Sequence, residues 1–229
     1  MKEKYDGLQK KEKNKDGWIK YDRFGYEGLS EVLACRFSKL LKTRLLFCDY
    51  SPIRTSTGVG CFSKNILSEN KNLISLHHFF PKEPEKLHIK HILEDYIPLI
   101  IDITGLSDFG EWLTELFIFD MLIENEDRNP GNILLFYDGV NYSYAPVMDN
   151  ANSLGYKHTR NHIAKPLMIP HDEQVEFFNS TFTTEVFLKN NELVVSDLND
   201  FYDYNSVDYA CTILNENVQS YFGKNMFFY

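Results

Sequence analysis

The chain has 229 residues, 43% of them hydrophobic and 15% aromatic, enough to bury a substantial core as one domain or two small lobes. Its composition excludes disordered and fibrous classes, with 18 Phe and 14 Tyr against 12 Gly and 8 Pro. A net charge of −9 has the wrong sign for a protein that grips nucleic acid with a broad basic face.

The four cysteines, Cys35, Cys48, Cys61 and Cys211, lie far apart with no CxxC pair, which signals neither a zinc site nor a disulfide framework. No basic-apolar-small signal pattern and no apolar run of the ~18 residues needed for a membrane span occurs. The expectation is a reduced, cytoplasmic protein, with export lacking a cleaved signal left open.

Taken in chain order, Lys10, Lys11, Lys13 and Lys15 crowd the start, as a solvated loop or as a phosphate contact. "GWIKYD" (17–22) alternates like a strand, and "EGLSEVLACRFSKLLK" (27–42) places Leu29, Val32, Leu33, Phe37, Leu40 and Leu41 on one helical face. "TRLLFCDYSPI" (43–53) predicts a strand or strand pair, "GVGCFS" (58–63) a turn, and "NLISLHHFF" (72–80) a further apolar stretch. The histidines at 77, 78, 88 and 91 lack acidic or cysteine partners at ligand spacing and read as surface residues.

The polar, proline-containing segment from Pro81 to Lys90 is the expected boundary between two units. Beyond it, 88–105 and 108–125 carry apolar residues at helical spacing. "NILLFY", "DGVN" and "YSYAPV" (132–147) then predict a hairpin with Asp-Gly at its tip, and "HDEQVEFF" and "DYACTILNENVQSYFG" predict later helices. Trp18 and Trp112 are assigned to core packing.

The hairpin carries the chemistry. Pairing across its turn sets residue 132 opposite 146 or 147, so Asn132 and Asp149 share its open end, and Asp127 lies just upstream. One carboxylate, one amide oxygen and substrate phosphates make a natural Mg²⁺ shell, and phosphoryl transfer needs a second carboxylate to orient the attacking hydroxyl. Read locally, Asn129-Pro130-Gly131-Asn132 is also ordinary turn vocabulary, and Asp127 a turn cap or a partner of Arg128.

"NEDRNPGNILL" and "APVMDNANSLG" together resemble the HipA-like serine/threonine kinases of bacteria, which share a kinase core with phosphoinositide kinases. The resemblance implies that Asp127 is the catalytic base and that Asn132 and Asp149 hold Mg²⁺. Asn129 stands where His is usual, and Asp149-Asn150-Ala151 stands where protein kinases carry Asp-Phe-Gly. "YDGLQKKEKNKDGWIKYD" is similar to the family's Gly-x-Gln-x-Lys nucleotide loop and strand lysine. That implies Gly7, Gln9 and Lys10 near phosphate, Lys20 on the α/β-phosphates and Glu31, rather than the competing Glu27, as its helical partner. "KPLMIPHDEQVEFF" (165–178) resembles a segment closing the C-terminal lobe, and the chain resembles the short form that lacks the long toxin kinases' extra N-terminal subdomain.

The resulting expectation is an α+β, two-lobed protein-kinase-like fold, with a mixed α/β N-lobe over 1–80 and a mainly helical C-lobe over 81–229. It implies ATP and Mg²⁺ as cofactors and a protein with a Ser/Thr acceptor as substrate, with an antitoxin or host protein as a further partner class. The alternatives are a pseudokinase acting as a nucleotide-binding or interaction module, and a phosphoinositide or small-molecule kinase. The latter would use the basic residues Lys157, His158, Arg160 and His162.

Overall fold

The computed structural model describes residues 9–67, 70–80, 89–155 and 172–229. Gly7, His88, the basic residues at 157–162 and most of the Pro81–Lys90 boundary lie outside them, as does the start of the 165–178 segment.

A four-stranded sheet in the order β1-β2-β5-β4 comes first, from β1 (Lys11–Lys13), β2 (Gly17–Tyr21), β4 (Tyr50–Thr55) and β5 (Gly58–Lys64). Between β2 and β4 the chain forms α1 (Glu27–Ser38) and a short β3 (Leu41–Lys42). The helix expected over 27–42 therefore ends at Ser38, and the strand expected over 43–53 starts only at Tyr50. The "GVGCFS" stretch, expected as a turn, is strand β5 in the middle of the sheet. Gly60 serves strand packing there, because a Cβ on it would run into the Lys20 carbonyl on β2.

Helix α1 packs on β5 and β4, and every residue but Arg36 is buried. It is thus covered on nearly all sides rather than exposing one polar face, which is how Glu31 comes to be fully buried. At its start Asp22 Oδ1 accepts the Gly28 N–H at 2.7 Å, while Glu27 accepts backbone N–H groups of Arg23, Phe24 and Tyr26.

Strand β6 (Asn72–Ser75) lies within the first eighty residues yet joins a different sheet, β6-β7-β8, through antiparallel pairing with β7 (Leu134–Tyr137). The helical run expected over 88–105 is divided into α2 (Ile89–His91), a π turn (Ile92–Tyr96) and α3 (Ile97–Thr104). Pro98 has no N–H to donate and its ring crowds the preceding turn, which accounts for the widened turn before it. Gly105, with φ 72°, closes α3 in the left-handed conformation.

Helix α4 (Phe109–Leu122) is buried along nearly its whole surface. Phe119 meets Phe37 of α1 with ring centroids 6.4 Å apart and Phe47 at 4.6 Å, so one continuous core joins the first sheet's helix to α4. Trp112 is in that core, stacked on Tyr144 at 4.8 Å, whereas Trp18 is only half-buried, with Lys13 over its ring. Buried Glu115 accepts from the Thr43 hydroxyl, from Arg44 Nε at 2.7 Å and from Thr184 at 2.6 Å, pinning the segment after β3 to α4.

The hairpin of β7 and β8 (Tyr142–Tyr144) has the expected register, with Tyr137 opposite Tyr142 and Leu135 opposite Tyr144. At its tip Asp138 accepts from Val140 and Asn141, and Gly139 takes φ 101°. The chain continues through α5 (Asp172–Thr181), β9 (Phe187–Leu188), β10 (Glu192–Leu193), α6 (Tyr204–Phe222) and β11 (Phe227–Phe228). Strand β9 pairs with β3 and β11 with β10. Among the described residues no helix is long and apolar enough to cross a membrane.

Candidate active site

Lys20 sits on β2 with its side chain turned toward α1. Its Nζ reaches Glu31 Oε1 at 2.6 Å, Asp149 Oδ1 at 2.8 Å and the Tyr50 hydroxyl at 3.3 Å. Burial favours the neutral amine, but the Asp149 and Glu31 carboxylates outweigh it and hold the Lys20 pKa well above the usual lysine range. The same ammonium is the main cause of the opposite shift at Asp149, whose pKa is depressed below the usual carboxylate range against the cost of burial.

The second oxygen of Glu31 accepts the Asn150 backbone N–H at 2.9 Å, so α1 holds both the lysine and the loop after β8. In that loop Asp149 adopts φ 63°, a left-handed conformation that costs more for a residue with a Cβ than for glycine.

Asp127 follows α4, where the chain turns back toward β7. Its Oδ1 accepts from Asn129 at 3.1 Å and its Oδ2 from Asn152 at 2.8 Å. Burial raises its pKa, the amide hydrogen bonds from Asn129 and Asn152 oppose the rise, and the Asp149 charge adds to it. Asn132 donates its Nδ2 to the Asp127 carbonyl at 2.8 Å, which commits the amide nitrogen and leaves Oδ1 as the side-chain atom that could bind a metal.

These loops are joined by Arg128, which is fully buried. Its Nε and Nη2 bond the two oxygens of Asp120 on α4 at 2.9 Å each, Nη1 bonds the Met148 carbonyl at 2.6 Å, and Nη2 bonds Asn150 Oδ1 at 2.6 Å. The partner of Arg128 is therefore Asp120 and not Asp127, whose carboxylate is held by Asn129 and Asn152 instead.

The donor set fits a hard dication that brings further ligands with it. Asp149 engages Lys20 through Oδ1 and its side chain remains about 33% exposed, and Asn132 adds one amide oxygen. Among the described residues no group of three or more His, Cys, Asp or Glu side chains could hold a metal unaided, so phosphate oxygens and water would have to complete the shell. Gln9 Nε2 is buried with no hydrogen-bond partner among the described residues, a donor suited to a phosphate oxygen.

Of the residues singled out in the sequence, Lys20, Glu31, Asp149, Asp127 and Asn132 form one connected network. Lys10 does not join it, since its Nζ lies over the Tyr21 ring, 5.3 Å from the centroid. The next lysine does: Lys11 is the register partner of Lys20, and its charge acts on Asp149. The Gly-x-Gln-x-Lys spacing counted from Gly7 ends on Lys11, a signal that would have found it. Asp120, a lone acid in the apolar run of α4, likewise flagged a buried partner. Asn152 and Tyr50 carried no such signal.

No protein-family model matches the chain, and no curated protein matches it either. Among solved structures, the crystal structure of the Helicobacter pylori proinflammatory kinase CtkA resembles it with a TM-score of 0.51 at 15% identity, over 65% of this chain and 55% of that one. The chain thus spans about 55% of that kinase's length, and the likeness shows a mixed α/β, kinase-like fold.

Proposed function

We propose that this protein is a HipA-like kinase that transfers the γ-phosphoryl group of ATP, with Mg²⁺, to serine or threonine hydroxyls of a protein. In this reading the β1-β2-β5-β4 sheet with α1 is the body of an N-lobe over residues 1–80, from which β6 crosses to pair with β7, and the helical C-lobe over 81–229 supplies the catalytic and metal loops. The observation that carries the reading is the bridging of Lys20 between Glu31 on α1 and Asp149 after β8, at 2.6 and 2.8 Å. An ion pair buried at this cost needs a reason, and gripping a polyphosphate while aligning a metal ligand supplies one.

The roles follow from position. Lys20 holds the α/β-phosphates, with Lys11 beside it on β1 and Gln9 just before that strand. Asn132 Oδ1 and the Asp149 carboxylate would hold Mg²⁺, which would supply charge neutralisation at the phosphates. Asp127 accepts the proton of the acceptor hydroxyl as its oxygen bonds to the γ-phosphorus and ADP leaves. Catalysis is mostly positioning and charge neutralisation.

The test is transfer of label from γ-³²P-ATP to the protein itself and to lysate proteins, with Mg²⁺ or EDTA, for wild type and for Asp127→Ala and Asp149→Ala. Label that needs Mg²⁺ and disappears in both variants is expected. Absence of label from folded wild type that still binds ATP would favour a pseudokinase, and label in the lipid fraction alone would favour a lipid kinase.

A further inference from the structure

Asn152 lies three residues beyond Asp149 and touches neither Lys20 nor Glu31. Its side-chain Nδ2 donates to Asp127 Oδ2 at 2.8 Å, and its backbone carbonyl accepts the Glu126 N–H at 3.1 Å. Two residues on, the Leu154 N–H donates to the Ile123 carbonyl at 2.7 Å, so the stretch after Asp149 is laced to the stretch leading into Asp127. The seat is itself anchored, because the Ser30 hydroxyl on α1 bonds the Ser153 carbonyl at 2.9 Å and the Ser153 hydroxyl bonds the Asn150 carbonyl at 2.7 Å.

An aspartate carboxylate turns readily about its terminal torsion, and each oxygen offers two acceptor directions. Here Asn129 takes one direction at Oδ1 and Asn152 one at Oδ2. The Asn129 bond is local, spanning two residues, and moves with the Asp127 loop. The Asn152 bond comes from the other loop, the one that bears Asp149. It is the side-chain link that fixes the angle of the Asp127 carboxylate relative to Asp149.

We infer that Asn152 is a positioning residue that orients the Asp127 carboxylate toward the acceptor hydroxyl by coupling the Asp127 loop to the Asp149 loop. The inference rests on the kinase reading for its functional consequence, though the contact itself does not. The predicted signature is a loss of turnover without loss of nucleotide affinity, because Asn152 reaches none of the proposed nucleotide contacts.

The experiment pairs kinetics with crystallography on full-length wild type, Asn152→Ala and Asn152→Asp, using γ-³²P-ATP with dephosphorylated casein and the protein itself as acceptors. For Asn152→Ala, kcat is expected to fall about tenfold to a hundredfold while KM for ATP changes less than about threefold. Asn152→Asp matches the shape but cannot donate and sets a carboxylate against Asp127, so it should fall at least as far. A role in packing alone predicts the reverse, with the isosteric variant close to wild type. In the Asn152→Ala crystal structure the Asp127 carboxylate should rotate by more than about 20°. An unmoved carboxylate, an Asn152→Asp enzyme as fast as wild type, or a raised KM at unchanged kcat would each overturn the inference. If wild type transfers no phosphoryl group at all, the kinase reading falls instead, and the carboxylate angle still decides whether Asn152 holds Asp127.

Discussion

Glu31 accepts the Asn150 backbone N–H at 2.9 Å with one oxygen while the other takes the Lys20 ammonium at 2.6 Å. Helix α1 is thereby coupled through one carboxylate to both the strand lysine and the loop that carries Asp149. A displacement of α1 would act on Lys20 and on the Asn150 backbone at once, because one side chain bonds both.

Replacing Glu31 by Gln keeps an oxygen for Asn150 but removes the charge that shares Lys20 with Asp149. The stability cost is expected to be about 1–3 kcal/mol, because a charged hydrogen bond becomes a neutral one in a fully buried position. Urea unfolding measures it. Transfer of label should fall about tenfold or more as Lys20 is left to Asp149 alone.

Arg128 is the more severe case, since its guanidinium fork meets Asp120, Asn150 and the Met148 carbonyl with no exposed surface. Lysine offers a point charge on a flexible stem and cannot reproduce that planar set. Arg128→Lys should cost about 3 kcal/mol or more, and Arg128→Ala should leave Asp120 charged and unpaired and fail to fold stably. Thermal denaturation with the Asp120→Asn, Arg128→Met pair as the compensated control checks both: the pair should recover part of the loss.

Much of the hydrogen-bonded network was legible because it is built from few residue types at short range. The Asp127, Asn132 and Asp149 constellation follows from a hairpin register that an Asp-Gly turn nearly dictates, and the β7–β8 pairing has that register. Lys20 and Glu31 were paired only through the family resemblance, since a strand lysine near a helix with glutamates reads on its own as a surface pair, and the buried bond between them lies outside what periodicity tells. What sequence periodicity misses is contact between distant segments. Arg128 beside Asp127 invited a neighbour pairing, yet Asp120 in the last turn of α4, eight residues back, captures it. The β5 glycines suggested a turn because glycine permits one, whereas Gly60 here permits two strands to close on each other. Burial of α1 on all sides also defeated the amphipathic reading, since the covering came from β4, β5 and the α4 core rather than from one face.

Asp22 carries the clearest pH dependence. Burial raises its pKa to about 7, the Gly28 N–H opposes that rise, and Glu27 adds to it. A carboxyl with a folded pKa above its unfolded value near ~3.9 favours the folded state while protonated. That stabilisation is complete below about pH 4 and is lost as the pH climbs through about 7. Asp22→Asn retains an acceptor for Gly28 and never ionises. It should melt higher than wild type at pH 8, by an upper bound of about 4 kcal/mol, with the advantage shrinking toward zero near pH 4. Parallel melts of the two proteins across that range test the sign directly, because the other titrating groups are common to both.

The two neighbouring lysines at the start of β1 offer a sharp contrast. Lys11 pairs in register with Lys20 and acts on Asp149, whereas the Lys10 ammonium rests over Tyr21. A triphosphate bound at Lys20 would lie within reach of the first charge and on the wrong side of the strand for the second. Lys11→Ala is therefore expected to weaken binding of a non-hydrolysable ATP analogue about threefold to tenfold, with the loss shrinking as salt screens the interaction. Lys10→Ala should leave affinity within about twofold, the scale of an exposed charge far from its counterion. Calorimetric titration at low and high salt distinguishes them. Equal losses in both variants would mean that the lysine cluster acts as a diffuse positive surface and that the register of β1 does not select its phosphate contact.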